Sequence, residues 1–356
     1  MKILLVLEYF YPHIGGVEEL FKQLADQLIN RGHTVRVITC KYSNTLQSKE
    51  TINGVEIIRV PLVNRFLFSF FGFPLVVKYA KGFDIIHTTS YNAALPAFIA
   101  AKLTRKKCII TFHEVWGKLW FELPYLGFME RKLYWLYEQL ILFLPFDFWI
   151  AVSNYTHRRL NKGLKSRRIY NGIEYKEAPP LKVKEYSFVF FGRLGVSKGL
   201  NLLIESAKRL KDKANFNLLI IIPRTTGLLS TKLIAEIRSA KLSNHVTILH
   251  DLTRKELELK LAVCNCVVIP SYSEGFCFSA VEAVSYGLPV ISSGRGALKE
   301  VISGKHLEMK EFTVEALENV MIRALKNEWV ETPLIRFELS ETVDQYIKLY
   351  QELILK

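Results

Sequence analysis

The chain has 356 residues, half of them hydrophobic, and a formal charge of +14 from 48 basic and 34 acidic side chains. That length suggests about two domains, and the apolar fraction is ample for buried sheets. The positive excess favours anionic partners, but no long single-sign run and no nucleic-acid motif is present, so it is assigned to phosphates or a membrane surface before nucleic acid.

Short apolar runs alternate with longer helical patterns from end to end, which predicts βα units and parallel sheets, an α/β fold. Lys2 to Leu7 reads as a first strand; its apolar run, Ile3 to Leu7, is too short for a signal-peptide core. A loop from Glu8 to Gly16 leads into a helix over Val17 to Asn30, with Val17, Leu20, Leu24 and Leu28 at helical spacing and Gly32 after its end. Gly15 and Gly16 either let backbone approach a ligand at the carboxyl edge of the sheet or form a tight packing turn. The loop is not G-x-G-x-x-G, so a dinucleotide site is not supported. Strands follow at Val35 to Thr39 and Val55 to Val60. Residues 62–81 are rich in Phe, with Arg65, Lys78 and Lys81 among them. Two readings stand for this segment: a core helix, and an amphipathic surface helix dipping into lipid beside cationic anchors.

Phe83 to Thr88 reads as a strand and Ala93 to Leu103 as a helix. The strand Cys108 to Thr111 runs straight into Phe112, His113 and Glu114. His113 therefore lies just past a strand's carboxyl end, where α/β active sites form; His87 and Glu114 are weaker candidates. Trp116 to Leu144 is strongly aromatic, with Trp116, Trp120, Tyr125, Phe128, Tyr134, Trp135 and Tyr137 among its residues, and basic at Lys118, Arg131 and Lys132. It reads equally as a membrane interface, suited to a lipid-linked partner, and as a long core helix with a wet face. A strand at Asp147 to Val152 and a helix capped by Ser153 and Asn154 follow. No stretch reaches the roughly 18 uninterrupted apolar residues of a spanning helix. A soluble or peripheral protein is expected, cytoplasmic or on the inner face of a membrane. Pro179 and Pro180, with the charged residues to Glu185, read as an interdomain linker.

A second α/β half opens with a strand at Ser187 to Phe191. Gly192 to Gly199 then carries Arg193 and Lys198 on flexible backbone before a helix, Leu200 to Leu210. Two cations and a helix N-terminus make a diphosphate site, though without the G-K-[ST] of a P-loop. Strands at Phe216 to Ile222 and Val246 to Leu249, a helix at Arg254 to Leu261 and a strand at Cys266 to Pro270 lead to the stretch from Pro270 to Val290, PSYSEGFCFSAVEAVSYGLPV. A helix is expected from Phe278 through Glu282 to Tyr286, stopped by Gly287, with Pro289 opening the strand Val290 to Ser292. Glu274 and Glu282 thus straddle a loop-to-helix junction. Free backbone N–H groups there suit an anion, and two carboxylates accept hydroxyl groups, as a nucleotide sugar would need; otherwise both are solvated helix-end charges. Helices at Val314 to Lys326 and Leu339 to Leu355 complete the chain. The five cysteines have no metal-ligand spacing and read as small buried hydrophobes in a reducing compartment.

The run from Glu274 to Glu282, with P-S-x-x before it and E-A-x-x-x-G-x-P-V across its end, resembles the E-x(7)-E signature of retaining glycosyltransferases of family 4. Their GT-B fold is two Rossmann-like parallel-sheet domains facing across a cleft. YPHIGGVEE is similar to the family's P-x-x-G-G-x-E loop, Gly192 to Gly199 to its G-R-x-x-x-x-K-G, Thr111 to His113 to its T-x-H, and Asn171 to Glu174 to its N-G-hydrophobic-acidic turn. The resemblance spans residues 9–302 and implies transfer of a sugar, with retention, from a UDP- or GDP-linked donor to a saccharide or lipid-linked acceptor. It implies an acceptor-side domain over 1–180, a donor domain over 181–336, and a final helix, 337–356, crossing back. Gly15 and Gly16 would lie near the diphosphate and the acceptor, His113 would contact the transferred sugar, and Arg193 and Lys198 would grip the pyrophosphate. Glu274 would take sugar hydroxyls near the reacting face, Glu282 the ribose, with Gly275, Phe276, Cys277 and Phe278 against the donor. No metal or other cofactor is expected, because those cations can serve the leaving group and the chain has no Asp-x-Asp. Two departures stand out: Cys277 replaces the second glycine of the usual E-G-F-G, and Arg295 is inserted between Gly294 and Gly296. An epimerase of the same fold, a nucleotide-sugar-binding subunit without catalysis, and a nucleic-acid binder are the rival expectations.

Overall fold

The computed structural model describes residues 1–62, 64–160, 163–175, 185–224 and 228–355; the expected Pro179–Pro180 linker lies outside them. In chain order the elements are β1 (Lys2–Val6), α1 (Gly16–Asn30), β2 (Thr34–Cys40), β3 (Lys49–Ile52), β4 (Val55–Val60), α2 (Arg65–Phe71), α3 (Phe73–Ala80), β5 (Ile85–Thr89), α4 (Ala94–Thr104), β6 (Lys107–Phe112), α5 (Phe128–Phe143), β7 (Phe148–Ala151), α6 (Asn154–Arg159) and β8 (Ser166–Arg168). After these come β9 (Ser187–Phe191), α7 (Leu200–Leu210), β10 (Asn217–Ile222), α8 (Leu228–Ser239), β11 (Val246–His250), α9 (Arg254–Leu261), β12 (Cys266–Ile269), α10 (Phe278–Ser285), β13 (Val290–Ser292), α11 (Leu298–Val301), β14 (Gly304–Glu308), α12 (Val314–Leu325), β15 (Val330–Thr332) and α13 (Leu339–Ile354). They form two compact units, one of Met1–Glu122, Leu126–Gly172 and Glu338–Lys356, the other of Leu123–Tyr125 and Ile173–Phe337. The division falls at Gly172, ahead of the expected residue 180. A Cβ on Gly172 would lie 2.4 Å from the Glu338 carbonyl oxygen, so this turn packs directly on the start of the last helix.

The first unit holds an eight-stranded sheet in the order β3-β4-β2-β1-β5-β6-β7-β8, parallel except where β3 meets β4. Ile3 to Val6 are wholly buried, as a strand covered on both faces requires. Helix α1 turns Leu20, Phe21, Leu24 and Leu28 inward at helical spacing. From the other end of the chain, α13 buries Leu339, Val343, Tyr346, Leu349 and Tyr350 in this unit. Its Tyr350 hydroxyl lies 2.7 Å from His87 Nδ1, and its Tyr346 hydroxyl 3.2 Å from Thr111 Oγ1. The Phe-rich segment is two helices, not one. A Cβ on Gly72 would meet the Phe68 ring at 2.7 Å, and Pro74 sits in the first turn of α3, where it has no helical N–H to lose.

The second unit holds a seven-stranded sheet, β11-β10-β9-β12-β13-β14-β15, parallel except for its last pair. Helix α7 buries Leu200, Leu203, Ile204, Ala207 and Leu210 against it. Edge strands β3, β8 and β15, the penultimate strand β14 and helix α8 have no counterpart in the sequence reading. Their apolar patterns are weak: β15 is exposed throughout, and β8 has no buried residue.

Candidate functional site

Three loops meet at one edge of the second sheet because β9, β12 and β13 are parallel neighbours. Residues 192–199 follow β9, 270–277 follow β12, and 293–297 follow β13. Two glycines allow the close approach. At Gly199 (φ +68°) a Cβ would fall 1.9 Å from the Pro270 carbonyl oxygen, and at Gly296 (φ +73°) one would fall 2.3 Å from that of Glu274. Backbone bonds tie the loops further: Tyr272 N–H donates to Ser197 O at 2.8 Å, and Ala297 N–H to Glu274 O at 2.7 Å.

Within this frame Glu274 is only 5% exposed. Lys198 Nζ donates to both of its oxygens, at 2.8 and 3.0 Å, and Ser271 Oγ to Oε1 at 2.6 Å. Sequence reasoning gave Lys198 to a phosphate and Glu274 to a sugar; the structure joins them in one ion pair. A carboxylate this buried needs such partners. Lys198 keeps 29% of its side chain exposed, so its charge can also serve an anion at the surface of the loop. Arg193, on the same loop, is exposed.

Helix α10 begins at Phe278, where the sequence placed it. The residue before it, Cys277, adopts φ +78°, a left-handed conformation that favours glycine. Burial, and then the charge of Glu274, push its thiol up to about 12, so it stays protonated and is no nucleophile. Gly275 and Phe276 are buried, and the Phe276 ring packs edge-on against Phe337 at 5.3 Å, facing the interior. Phe278 is half-buried. Glu282, on the second turn, receives Arg254 NH1 at 2.5 Å; the same guanidinium reaches Tyr286 and Glu258. Burial alone would lower the Arg254 pKa, but the charge and hydrogen bond of Glu282 raise it above the ordinary value. Arg254 was not foreseen as a partner, since nothing in the sequence marks a contact across 28 residues. All five cysteines are buried and free. Among the described residues no three His, Cys, Asp or Glu side chains are grouped to hold a metal ion.

In the first unit, Gly15 is extended (φ 179°) at the N-cap of α1, and Gly16 is the first helical residue. The loop before them was richer than its glycines suggested. His13 stacks on Tyr9 with centroids 4.4 Å apart, and its Nδ1 lies 3.1 Å from the buried Glu18. His113 is half-buried just past β6, its ring 6.0 Å from that of Phe21. His87 is a core residue, held between Tyr350 and Thr111. Burial, with the charge of His113, lowers its pKa to about 3, so it stays neutral. Glu138 also escaped the sequence reading, looking there like a wet-face residue of an aromatic helix. It is wholly buried and accepts from Trp116 and Gly117 N–H at 2.8 and 2.6 Å, Trp120 Nε1 at 3.2 Å and Tyr91 Oη at 2.9 Å. It thereby fixes the segment that follows His113.

Two parallel-dominated α/β sheets, with the last helix packed in the first unit, define the GT-B class of glycosyltransferases. The model of Glycosyltransferase Family 4 matches residues 14–177, that of Glycosyl transferases group 1 matches 173–348, and the chain belongs to this family. An uncharacterized glycosyltransferase of Methanocaldococcus jannaschii is 26% identical over 99% of both chains. One of the subunits of human phosphatidylinositol N-acetylglucosaminyltransferase is 26% identical over 88% of this chain, which spans 66% of that relative's length. Among solved structures, sucrose-phosphate synthase from Thermosynechococcus elongatus superposes with a TM-score of 0.82 at 22% identity, over 99% of each chain. Anabaena HepE, solved with UDP and glucose, gives 0.77 at 18% identity, over 99% of this chain and all of that one.

Proposed function

We propose that this glycosyltransferase moves a sugar from a UDP- or GDP-linked donor to a saccharide or lipid-linked acceptor with retention of configuration, and needs no metal. The observation that carries the reading is the Lys198–Glu274–Ser271 cluster at the N-terminus of α10, with Arg193 on the adjoining loop. Cations beside free helix N–H groups suit a diphosphate, and the neighbouring carboxylates Glu274 and Glu282 suit sugar and ribose hydroxyls. HepE, with its bound UDP and glucose, supports the donor class. In the reaction, the bond from the anomeric carbon to the diphosphate oxygen breaks and its electron pair leaves with the diphosphate. The acceptor oxygen bonds to the same face, and its proton passes to the departing phosphate oxygen. Lys198 and Arg193 stabilise the charge that grows on the leaving group. His113 orients the sugar as it gains positive character. Gly15 and Gly16 bring backbone near the diphosphate and the acceptor. Gly275 to Phe278 contribute backbone to the donor pocket, with the Phe276 ring turned inward as a brace.

The test is thermal stabilisation by UDP-, GDP- and ADP-sugars in chelator, with Glu282→Ala beside the wild type. A matching donor should raise the melting temperature with the logarithm of its concentration, and the variant should lose that response. Silence from every donor, or stabilisation equal in the variant, would overturn this site. Donor consumed without any acceptor would favour an epimerase instead.

A further inference from the structure

No helix among the described residues is long and apolar enough to cross a membrane, yet two of them carry an outward apolar face. On α5, Met129, Leu133, Leu136, Leu140 and Phe143 recur every three or four residues and all are exposed, Phe143 at 85%. Sixteen residues make this helix about 24 Å long. On α2, Phe66, Leu67, Phe70 and Phe71 are likewise exposed, Phe71 at 64%. The two helices touch beside these faces. Phe66 stacks on Tyr134 and Phe70 tilts against Tyr137, each pair with centroids 6.4 Å apart. Core packing does not account for this pattern, because each helix already has its own inner side: Phe68 on α2, and Glu138, Ile141 and Leu142 on α5.

The charges on and around the face are mostly basic. Of the two acids of α5, Glu138 is buried among its four donors, and Glu130, exposed on the first turn, accepts from Gly127 N–H. Lys132 stands within the stripe, exposed, with Lys118 and Lys78 also exposed on the neighbouring segments. The Arg65 guanidinium lies over the Phe66 ring at 5.1 Å and also pairs with Glu8 at 3.4 Å, nearly half its side chain still exposed at the apolar edge. Protruding aromatic and leucine side chains among long-stemmed cations, with the apolar stripe itself free of carboxylates between Leu133 and Phe143, complement lipid chains under anionic headgroups. A shallow, open groove is lined by Tyr9, three residues past β1, and by Asn64, Arg65 and Phe66 at the start of α2.

We propose that the outer face of α2 and α5 docks on an anionic lipid bilayer. Resting on the glycosyltransferase reading above, this makes the acceptor a lipid-linked one, whose head group reaches the Tyr9–Gly16 loop along that groove. The test uses the full chain and vesicles of phosphatidylcholine with or without phosphatidylglycerol, at low and high salt. The wild type should sediment with the anionic vesicles at low salt. Leu133→Glu/Leu136→Glu should weaken that partition about 100-fold or more, and Lys132→Ala about fivefold. Both variants should keep the donor-induced thermal stabilisation of the wild type, a readout that tests the donor site separately and also shows that they fold. Wild-type protein left in the supernatant with both vesicles, or binding that is unchanged in the leucine variant, would overturn the docking surface. So would a wild-type dimer that the leucine variant dissociates while vesicles are ignored, since the face would then belong to a second copy of the chain.

Discussion

The loops after β1 and β9 leave the first strand of their own units at the same end, and they are built from opposite materials. In the second unit the backbone does the fastening: Gly199 presses on the Pro270 carbonyl, and Ser197 O accepts from Tyr272. Of the cations of that loop, Arg193 is exposed and Lys198 keeps 29% of its side chain exposed. In the first unit a cation is itself the fastener. Arg59, with a wholly buried side chain, donates to Tyr11 O at 2.8 Å and Gln47 O at 3.0 Å and pairs with Glu50. What that loop offers a ligand is aromatic: Tyr9 and His13, in ring contact with each other and with Tyr42 just past β2, with Glu18 behind them. A buried guanidinium holds backbone but cannot serve a ligand. A loop held by glycine and backbone bonds keeps its cations at the surface, even where one of them, Lys198, also pairs with Glu274.

The sharpest way to break this contrast is to delete Lys198 from the second loop and Arg59, the β4 cation that fastens the first. Lys198→Ala should lower kcat/KM about 100- to 1,000-fold, the usual effect of losing one preorganised charge partner in the transition state. It should also cost about 2 kcal/mol of stability, because Glu274 is left buried with less compensation. Glu274→Gln on top of it should return most of that stability and none of the activity. Arg59→Ala should do the reverse: about 3 kcal/mol or more of stability lost from a buried, multiply bonded cation, with little effect on turnover per folded molecule. Equal activity losses in the two variants, measured at matched folded fraction, would erase the distinction between the loops.

A smaller effect sharpens the view of the first unit as one whose buried polar groups are fasteners. His87 has a folded pKa of about 3 against an ordinary 6.5, lowered first by burial. The unfolded chain therefore takes up the proton first. The stabilisation is complete above pH 6.5 and is lost as pH falls toward 3, at up to about 1.4 kcal/mol per pH unit. Urea unfolding at pH 7, 5.5 and 4 should show His87→Gln less stable than wild type at pH 7 but with a shallower acid slope. Parallel slopes would mean that His87 is not the titrating group.

Much of this was legible from residues that speak locally. Gly287 and Pro289 bounded α10, the β1 run was apolar without interruption, and the spacing of Arg193, Lys198, Glu274 and Glu282 marked two of the three converging strand ends. What was illegible is what depends on partners distant in the chain. The Lys198–Glu274 pair spans 76 residues, His87–Tyr350 spans 263, and Glu138 reads as solvated until its four donors are seen around it. The Phe-rich segment divides at Gly72 and Pro74: the missing N–H of Pro74 is a local signal, whereas the contact of Gly72 with the Phe68 ring is visible only in three dimensions.

The smallest effect lies at the junction between the two glutamates. Gly199 and Gly296 meet their positive φ with the residue suited to it, whereas Cys277, at φ +78°, does not. A side chain held there costs about 1–2 kcal/mol. Cys277→Gly should relieve that strain and set it against the greater freedom of glycine in the unfolded chain, about 0.5–1 kcal/mol, and the loss of a small buried thiol. The net change should therefore be close to zero, with Cys277→Ala, which keeps the strained backbone and loses the sulfur, about 1 kcal/mol less stable than wild type. Melting temperatures of the three proteins read this order directly. If alanine matched the wild type and glycine alone fell, the backbone at 277 would be relaxed. The thiol would then be there for its fit against the donor, and the glycine variant would be the one to try against a bulkier sugar.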